Sequence, residues 1–278
     1  MFFDGQTELF HQIAAGIPQG SPVSPILFLI YIHSLFEPIT NFTLSYMDDV
    51  AISASSTSLK KNIRLLEKDV ATLFGLGVPC AIQFDIAKTE LIHFTTGKAS
   101  LSTTLTLPDQ TVITPKPVVK WLGIHLDNAL SFKEHVSIRT SQAQSAFYRM
   151  CRLANSERGL SPYALRQLYM ACVTSVADYG CQVYWKGQAS FTSKLQGLQN
   201  KALRKILGTF RTSPTLPSEV EAALPPPAIR LNTALRQYAF WARKLPDNHP
   251  IKEATQLIVS QLYSPLDWQI GMGFPALG

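Results

Sequence analysis

Apolar residues crowd positions 26–36, interrupted by His33 and Ser34. Ser24 and Pro25 just ahead suit an N-cap and a first helical position, so this run is expected to be a buried helix. Gly16, Pro18, Gly20 and Pro22 mark a tight, rigid turn leading into it. Residues 42–46 alternate as a strand and residues 50–53 read as its return partner, which places positions 47–49 at the turn between them. From Leu59, the spacing of Ile63, Leu66, Val70 and Leu73 gives one apolar helical face, ending near Gly75 and Gly77. Short strands are expected at 82–84, 89–94, 101–107, 111–114 and 118–126, forming a small sheet region with an edge hairpin.

Beyond Ser131 the pattern becomes helical. Val136, Ala143, Phe147 and Met150 line one side of a first helix, and Ser161 with Pro162 starts a second that runs to about residue 185. A third is expected over 192–207 and a fourth over 228–245, with prolines from Pro214 to Pro227 making the interval loop-rich. The pattern is therefore α+β, a small antiparallel sheet with helices followed by an all-α region, with a boundary near residue 130 and no internal repeat.

A chain of 278 residues suits about two domains. Its longest apolar run falls well short of the roughly 20 residues that cross a bilayer, so no membrane partner is expected. The first ten residues carry acids, not a basic leader; they read as a domain entered in mid-sequence, in an intracellular protein without a targeting signal. Cys80, Cys151, Cys172 and Cys181 lack paired metal-ligand spacing and read as reduced core thiols. The six histidines show no H-E-x-x-H spacing and receive no metal role.

The formal charge of +6 is unevenly spread. No lysine or arginine precedes Lys60, whereas residues 151–278 carry 14 basic and 7 acidic side chains. The second half therefore faces polyanions, unless its charges are only a solvated surface. In the third helix, Leu195, Leu198, Ala202 and Ile206 share a core phase that turns Lys201, Arg204 and Lys205 outward, as a nucleic-acid-holding surface of phosphate contacts requires. Tyr184, Trp185 and Trp241 serve either as stacking platforms or, more simply, as core.

The sharpest chemistry lies at Asp48 and Asp49. Adjacent acids between apolar strands are costly unless a cation or hydrogen bonds compensate them. Magnesium favours carboxylate and phosphate oxygens, and paired ions so held drive in-line nucleotidyl transfer. An Asp-Asp pair also caps many ordinary surface turns, so the flanking segments decide its meaning.

Those segments carry a resemblance. GIPQGSPVSPILFLIYI (16–32) followed by SYMDDVAI (45–52) resembles the palm of non-LTR retrotransposon reverse transcriptases, the first as its loop and helix beneath the incoming nucleotide, the second as its catalytic hairpin. FDIAKTELIHF (84–94) is similar to the family's lysine-bearing element, and VKWLGIHLD (119–127) to its primer-grip hairpin. SFKEHV, GLSPYALRQLY and LQNKALRKILG are similar to the thumb and the region after it. The resemblance implies a partial palm over 1–130 and a helical thumb and C-terminal region over 131–278.

It further implies RNA-directed DNA polymerase activity, with an RNA template, a DNA primer, deoxynucleoside triphosphates, Mg2+ or Mn2+, and a nuclear setting. Asp48 becomes a catalytic metal ligand, with Asp49 adding charge and geometry beside it. Gln19, Gly20, Tyr46 and Met47 line the nucleotide and primer terminus; Met47 stands where many relatives have alanine. Lys88 steadies the triphosphate or protonates pyrophosphate, or is a surface lysine. Trp121, Leu122 and Gly123 position the primer, or pack as core. The family's further metal-binding aspartate lies upstream of the PQG loop, where this chain has only Asp4 and Glu8. The expectation is thus a fragment without fingers or that aspartate. The alternative is an inactive nucleic-acid-binding remnant; a weaker third reading has the missing segment supplied in trans.

Overall fold

A computed structural model describes residues 2–3, 6–7, 20–95, 102–154, 159–249 and 251–252. The chain divides into two compact units, Met1–Trp121 with Asp127–Leu130, and Leu122–Leu126 with Ser131–Gly278. Among the described residues, helices combine with small antiparallel strand pairs, an α+β composition. None of the described helices is long and apolar enough to cross a membrane.

The first unit opens with a two-residue ladder, β1 (Phe2–Phe3) against β2 (Gln6–Thr7). The apolar run becomes α1 (Ser24–Phe36), but Ser24 is its first helical residue and not its cap; Val23 occupies the cap and supplies no side-chain bond. β3 (Phe42–Tyr46) pairs antiparallel with β4 (Asp49–Ser53), so Asp49 begins the return strand and only Met47 and Asp48 form the turn. α2 (Leu59–Gly77) follows its apolar spacing. Ile32 and Leu35 of α1 bury against Leu73 of α2, and Val50 and Ile52 of β4 pack on the same cluster. Nearer its start, α2 uses Ile63 to cover Leu91, Leu105 and Leu107.

α1 is less buried than its composition suggests: Ile26, Leu27, Leu29, Ile30 and Tyr31 are exposed. The expected run of strands after residue 80 also shrinks. Residues 82–84 form no strand, 89–94 keep only a bridge at Leu91, and the rest reduces to β5 (Leu105–Thr106) paired with β6 (Val112–Ile113). Residues 118–126 split into β7 (Val118–Trp121) and β8 (Ile124–Asp127) around the Leu122–Gly123 turn.

In the second unit, α3 (Lys133–Cys151) buries Val136, Ala143, Phe147 and Met150 on one face. The continuous helix expected from Pro162 is instead broken into α4 (Pro162–Leu168), a π-helical stretch (Tyr169–Thr174), α5 (Ser175–Ala177) and α6 (Cys181–Tyr184). Gly180 sits at φ +72°, a left-handed residue that no helix interior accommodates. α7 (Ala189–Leu207) ends on left-handed Gly208, as glycine commonly ends helices. α8 (Thr215–Glu221) occupies the stretch expected to be loop, and α9 (Pro227–Arg243) comes after it.

A polar network pins the turn after α5 to α7, α8 and α9. Arg230 holds Asp178 with two N–H groups and donates to Gln199 Oε1 at 2.7 Å, while Gln199 donates to Glu219 Oε1 at 2.9 Å. Tyr169, Tyr184 and Trp185 are core residues, Trp185 donating to Asn232 Oδ1 at 2.7 Å. Trp241 instead is exposed beside Tyr238, and Cys172 is exposed too, so it is not the core thiol expected.

Candidate active site

The β3–β4 register fixes the geometry around the two acids. Tyr46 lies directly opposite Asp49, with Leu44 opposite Ala51 and Phe42 opposite Ser53. Directly opposed residues share one face of a ladder, so the Asp49 carboxylate projects on the face that carries Tyr46, Leu44 and Phe42. That face is open: Tyr46 is 60% exposed and Phe42 66%. Met47 takes φ +54°, a left-handed conformation that costs an L-residue about 1–2 kcal/mol. Asp48 follows it at the tip.

Both carboxylates are solvent-exposed, which corrects the premise that they are acids confined between apolar strands. Burial cost therefore gives no argument for a cation here. What remains is donor chemistry. Two adjacent carboxylates on a tight turn offer the hard oxygens that Mg2+ prefers, with room for water and phosphate to complete an octahedral shell. Among the described residues, no group of three histidine, cysteine, aspartate or glutamate side chains converges to hold a metal ion. Asp48 and Asp49 can supply part of such a shell.

The hairpin is anchored from behind. Asp69 of α2 is only 2% exposed, and its carboxylate accepts from the Asn41 backbone N–H at 3.2 Å and the Asn41 side-chain amide at 2.7 Å. Thr40 Oγ1 adds a longer bond at 3.4 Å. Asn41 immediately precedes β3, so α2 sets where the hairpin starts. The sequence signal was an acid in the apolar phase of α2, between Leu66 and Leu73.

The other expected site residues are dispersed. Gln19 lies outside the described residues. Gly20 has φ +90°, and a Cβ there would meet no protein atom, so backbone conformation demands the glycine, not crowding by the protein. Lys88 ends a short 3-10 turn (Ile86–Lys88), is 84% exposed and pairs with Asp85 at 3.1 Å. That lysine, through its hydrogen bond, holds the Asp85 carboxyl below its usual range. Trp121 is half-buried, and its indole N–H is enclosed without a hydrogen-bond partner. Leu122 and Gly123 form the turn at φ +47° and +79°. On α7, Leu195, Leu198, Ala202 and Ile206 are buried, Lys201 and Lys205 exposed, and Arg204 half-exposed.

Residues 1–126, which contain the hairpin, match the family described as reverse transcriptase (RNA-dependent DNA polymerase). By that match, this part of the chain is similar to reverse transcriptases. The chain is also similar to a probable RNA-directed DNA polymerase from transposon BS of Drosophila melanogaster, 26% identical over 200 residues, covering 69% of this chain and 22% of that protein. It is 25% identical over 204 residues to the corresponding protein from transposon X-element of the same fly, covering 71% and 22%. The RNA-directed DNA polymerase from mobile element jockey of Drosophila funebris is 24% identical over 266 residues, covering 92% of this chain and 28% of its own length. The chain thus spans less than a third of these relatives. No solved structure matches it. These findings bear out the resemblance to non-LTR reverse transcriptases read from residues 16–32 and 45–52.

The reverse-transcriptase match ends at residue 126, just short of β8's end, whereas the jockey match continues through the helical unit. Within that unit, side chains of α3 and of the turn after α5 reach the Leu122–Gly123 turn. Sequence reading missed them, although the place of Arg139 in the apolar phase between Val136 and Ala143 is a signal that could have found it.

Proposed function

We propose that this chain carries the catalytic hairpin, primer grip and thumb of a non-LTR retrotransposon reverse transcriptase, which copies RNA into DNA. The observation that supports this most is the Tyr46–Asp49 turn, with two open carboxylates at a strained tip, inside the segment that matches the family. In this reading residues 1–130 are part of the palm and residues 131–278 the thumb and C-terminal region.

Asp48, with Asp49 beside it, would hold Mg2+ or Mn2+. That ion, when bound, neutralises phosphate charge and favours ionisation of the primer hydroxyl. The chain's own residues do the rest. Tyr46, on the Asp49 face, packs the primer terminus; Met47 and Gly20, with Gln19, shape the nucleotide pocket. Lys88, once drawn from Asp85, faces the triphosphate. Lys201, Arg204 and Lys205 contact phosphates of the duplex without reading sequence. The substrates are an RNA template, a DNA primer and deoxynucleoside triphosphates, and the working compartment is the nucleus.

The exposed apolar residues of α1 and β3 support a further part of the polymerase polypeptide as their cover, in cis or in trans, since contiguous apolar surface of this kind marks interaction sites. That cover would also bring the remaining metal ligand.

The competing reading is a nucleic-acid-binding remnant, and nucleotide dependence separates the two. With Mg2+ and a dideoxy-terminated primer on RNA, the complementary deoxynucleotide should slow duplex dissociation at raised salt, and a mismatched one should not. Replacing Lys201, Arg204 and Lys205 together by Gln should flatten the salt dependence of binding by up to about three counterions. Dissociation indifferent to nucleotide identity would favour the remnant.

A further inference from the structure

The Leu122–Gly123 turn is held by side chains distant in sequence, all within the second unit. Tyr179 Oη donates to the Leu122 carbonyl at 2.8 Å, and Arg139 Nη2 donates to the Gly123 carbonyl. The two donors also hold each other: the Arg139 guanidinium lies over the Tyr179 ring, 4.2 Å from its centroid. Arg139 Nη1 reaches Gln142 Oε1 at 3.3 Å, one turn along α3. Below them, the His125 backbone N–H donates to His135 Nδ1 at 3.2 Å, and His135 Nε2 faces the Tyr179 carbonyl at 3.1 Å. Two consecutive carbonyls and the first strand residues beyond them are thereby fixed.

The packing leaves no slack. A Cβ on Gly123 would come within 3.0 Å of Arg139 Nη2 and 3.2 Å of the Tyr179 ring. Leu122 carries a positive φ that an isolated turn would shed, and such a conformation persists where its surroundings over-determine it. Arg139 makes no ion pair among the described residues, so its charge is not spent on a carboxylate. An arginine committed to a backbone carbonyl and an aromatic ring, without an ion-paired acid among the described residues, is a costly way to stabilise a turn that has only to exist.

We infer that Arg139 and Tyr179, backed by His135, are positioning residues that fix the Leu122–Gly123 turn for contact with the primer strand. This rests on the polymerase reading above, and it adds Arg139 and Tyr179, which lie outside the segments that carry the family resemblance. They act through the turn and touch no reacting atom.

The test uses the full chain and a primer–template with 2-aminopurine at the primer 3′ end or, separately, in the duplex interior. Tyr179→Phe removes one hydroxyl and keeps the ring under Arg139. Arg139→Lys keeps the charge and loses the fork. Both variants are expected to bind duplex within about twofold of wild type, because phosphate contacts elsewhere dominate affinity. At saturation they should lose about half or more of the 3′-terminal fluorescence response while keeping the interior one, since small misplacements at a reacting end are costly. Urea midpoints measured in parallel show that both remain folded. An unchanged terminal response at saturation would overturn the inference. So would a wild-type chain that binds duplex with no terminal response, with nucleic-acid binding left standing. Absence of wild-type binding would instead remove the polymerase reading, and the clamp's role with it.

Discussion

Single charged residues placed in apolar phases carry much of what is specific here. Asp69, Arg139 and Arg230 each sit where helical spacing calls for an apolar side chain, and each holds backbone or a buried partner. His135 is a buried polar group whose protonation depends on its surroundings. It is completely buried and accepts a backbone N–H through Nδ1, which requires the neutral ring with its proton on Nε2. Burial foremost, then the Arg139 and His125 charges, hold its pKa below 6.5, against the opposing pull of the Tyr179 carbonyl. The folded state therefore binds the proton less readily than the unfolded state. Stability from this group is complete above pH 6.5 and is lost as pH falls from there through the folded pKa. Urea unfolding followed by Trp185 fluorescence should show the midpoint falling between pH 7 and 5.5. His135→Asn, though weaker at pH 7, should fall less; an equal drop in both would assign the titration elsewhere.

Among the elements, the β3–β4 hairpin shows how a site is set by a helix that carries no chemistry. Asp69 receives two good hydrogen bonds from Asn41, and leaving those donors buried without an acceptor costs about 1–3 kcal/mol. Asp69→Ala should lower unfolding free energy by about that amount, and Asp69→Asn should recover most of it, because both Asn41 donors meet one and the same oxygen, which an amide carbonyl can replace while its NH2 faces the Thr40 hydroxyl. A change under about 0.5 kcal/mol for Asp69→Ala in urea denaturation would mean that Asn41 finds other partners. The long helices α2, α3, α7 and α9 were readable from spacing alone, since each buries one continuous stripe. The short strands were not: residues 82–84 and 89–94 have strand-like composition, yet they pack Ile82, Phe84 and Leu91 as irregular chain against α2. The break at Asp178 to Gly180 was likewise hidden, because the Arg230 bond that rewards it comes from 52 residues away.

For the whole molecule, the sequence located the hairpin and its two acids, and the structure changed their setting. Expected between apolar strands, both are exposed, Asp49 on the open face with Tyr46, Leu44 and Phe42 and Asp48 at the tip of the turn. Order along the chain revealed the motif, but exposure depends on what covers α1 and β3, which no local pattern encodes. In the proposed function Asp48 works in RNA-templated DNA synthesis. It is tested most directly by primer extension on an RNA template, with Mg2+ and four deoxynucleotides, using the polypeptide that carries these residues beside its Asp48→Asn variant. Extension is expected in the parent, with a loss of about a thousandfold in the variant, as when a group stabilising transition-state charge is removed. No extension in the parent, or equal extension in both, would contradict it.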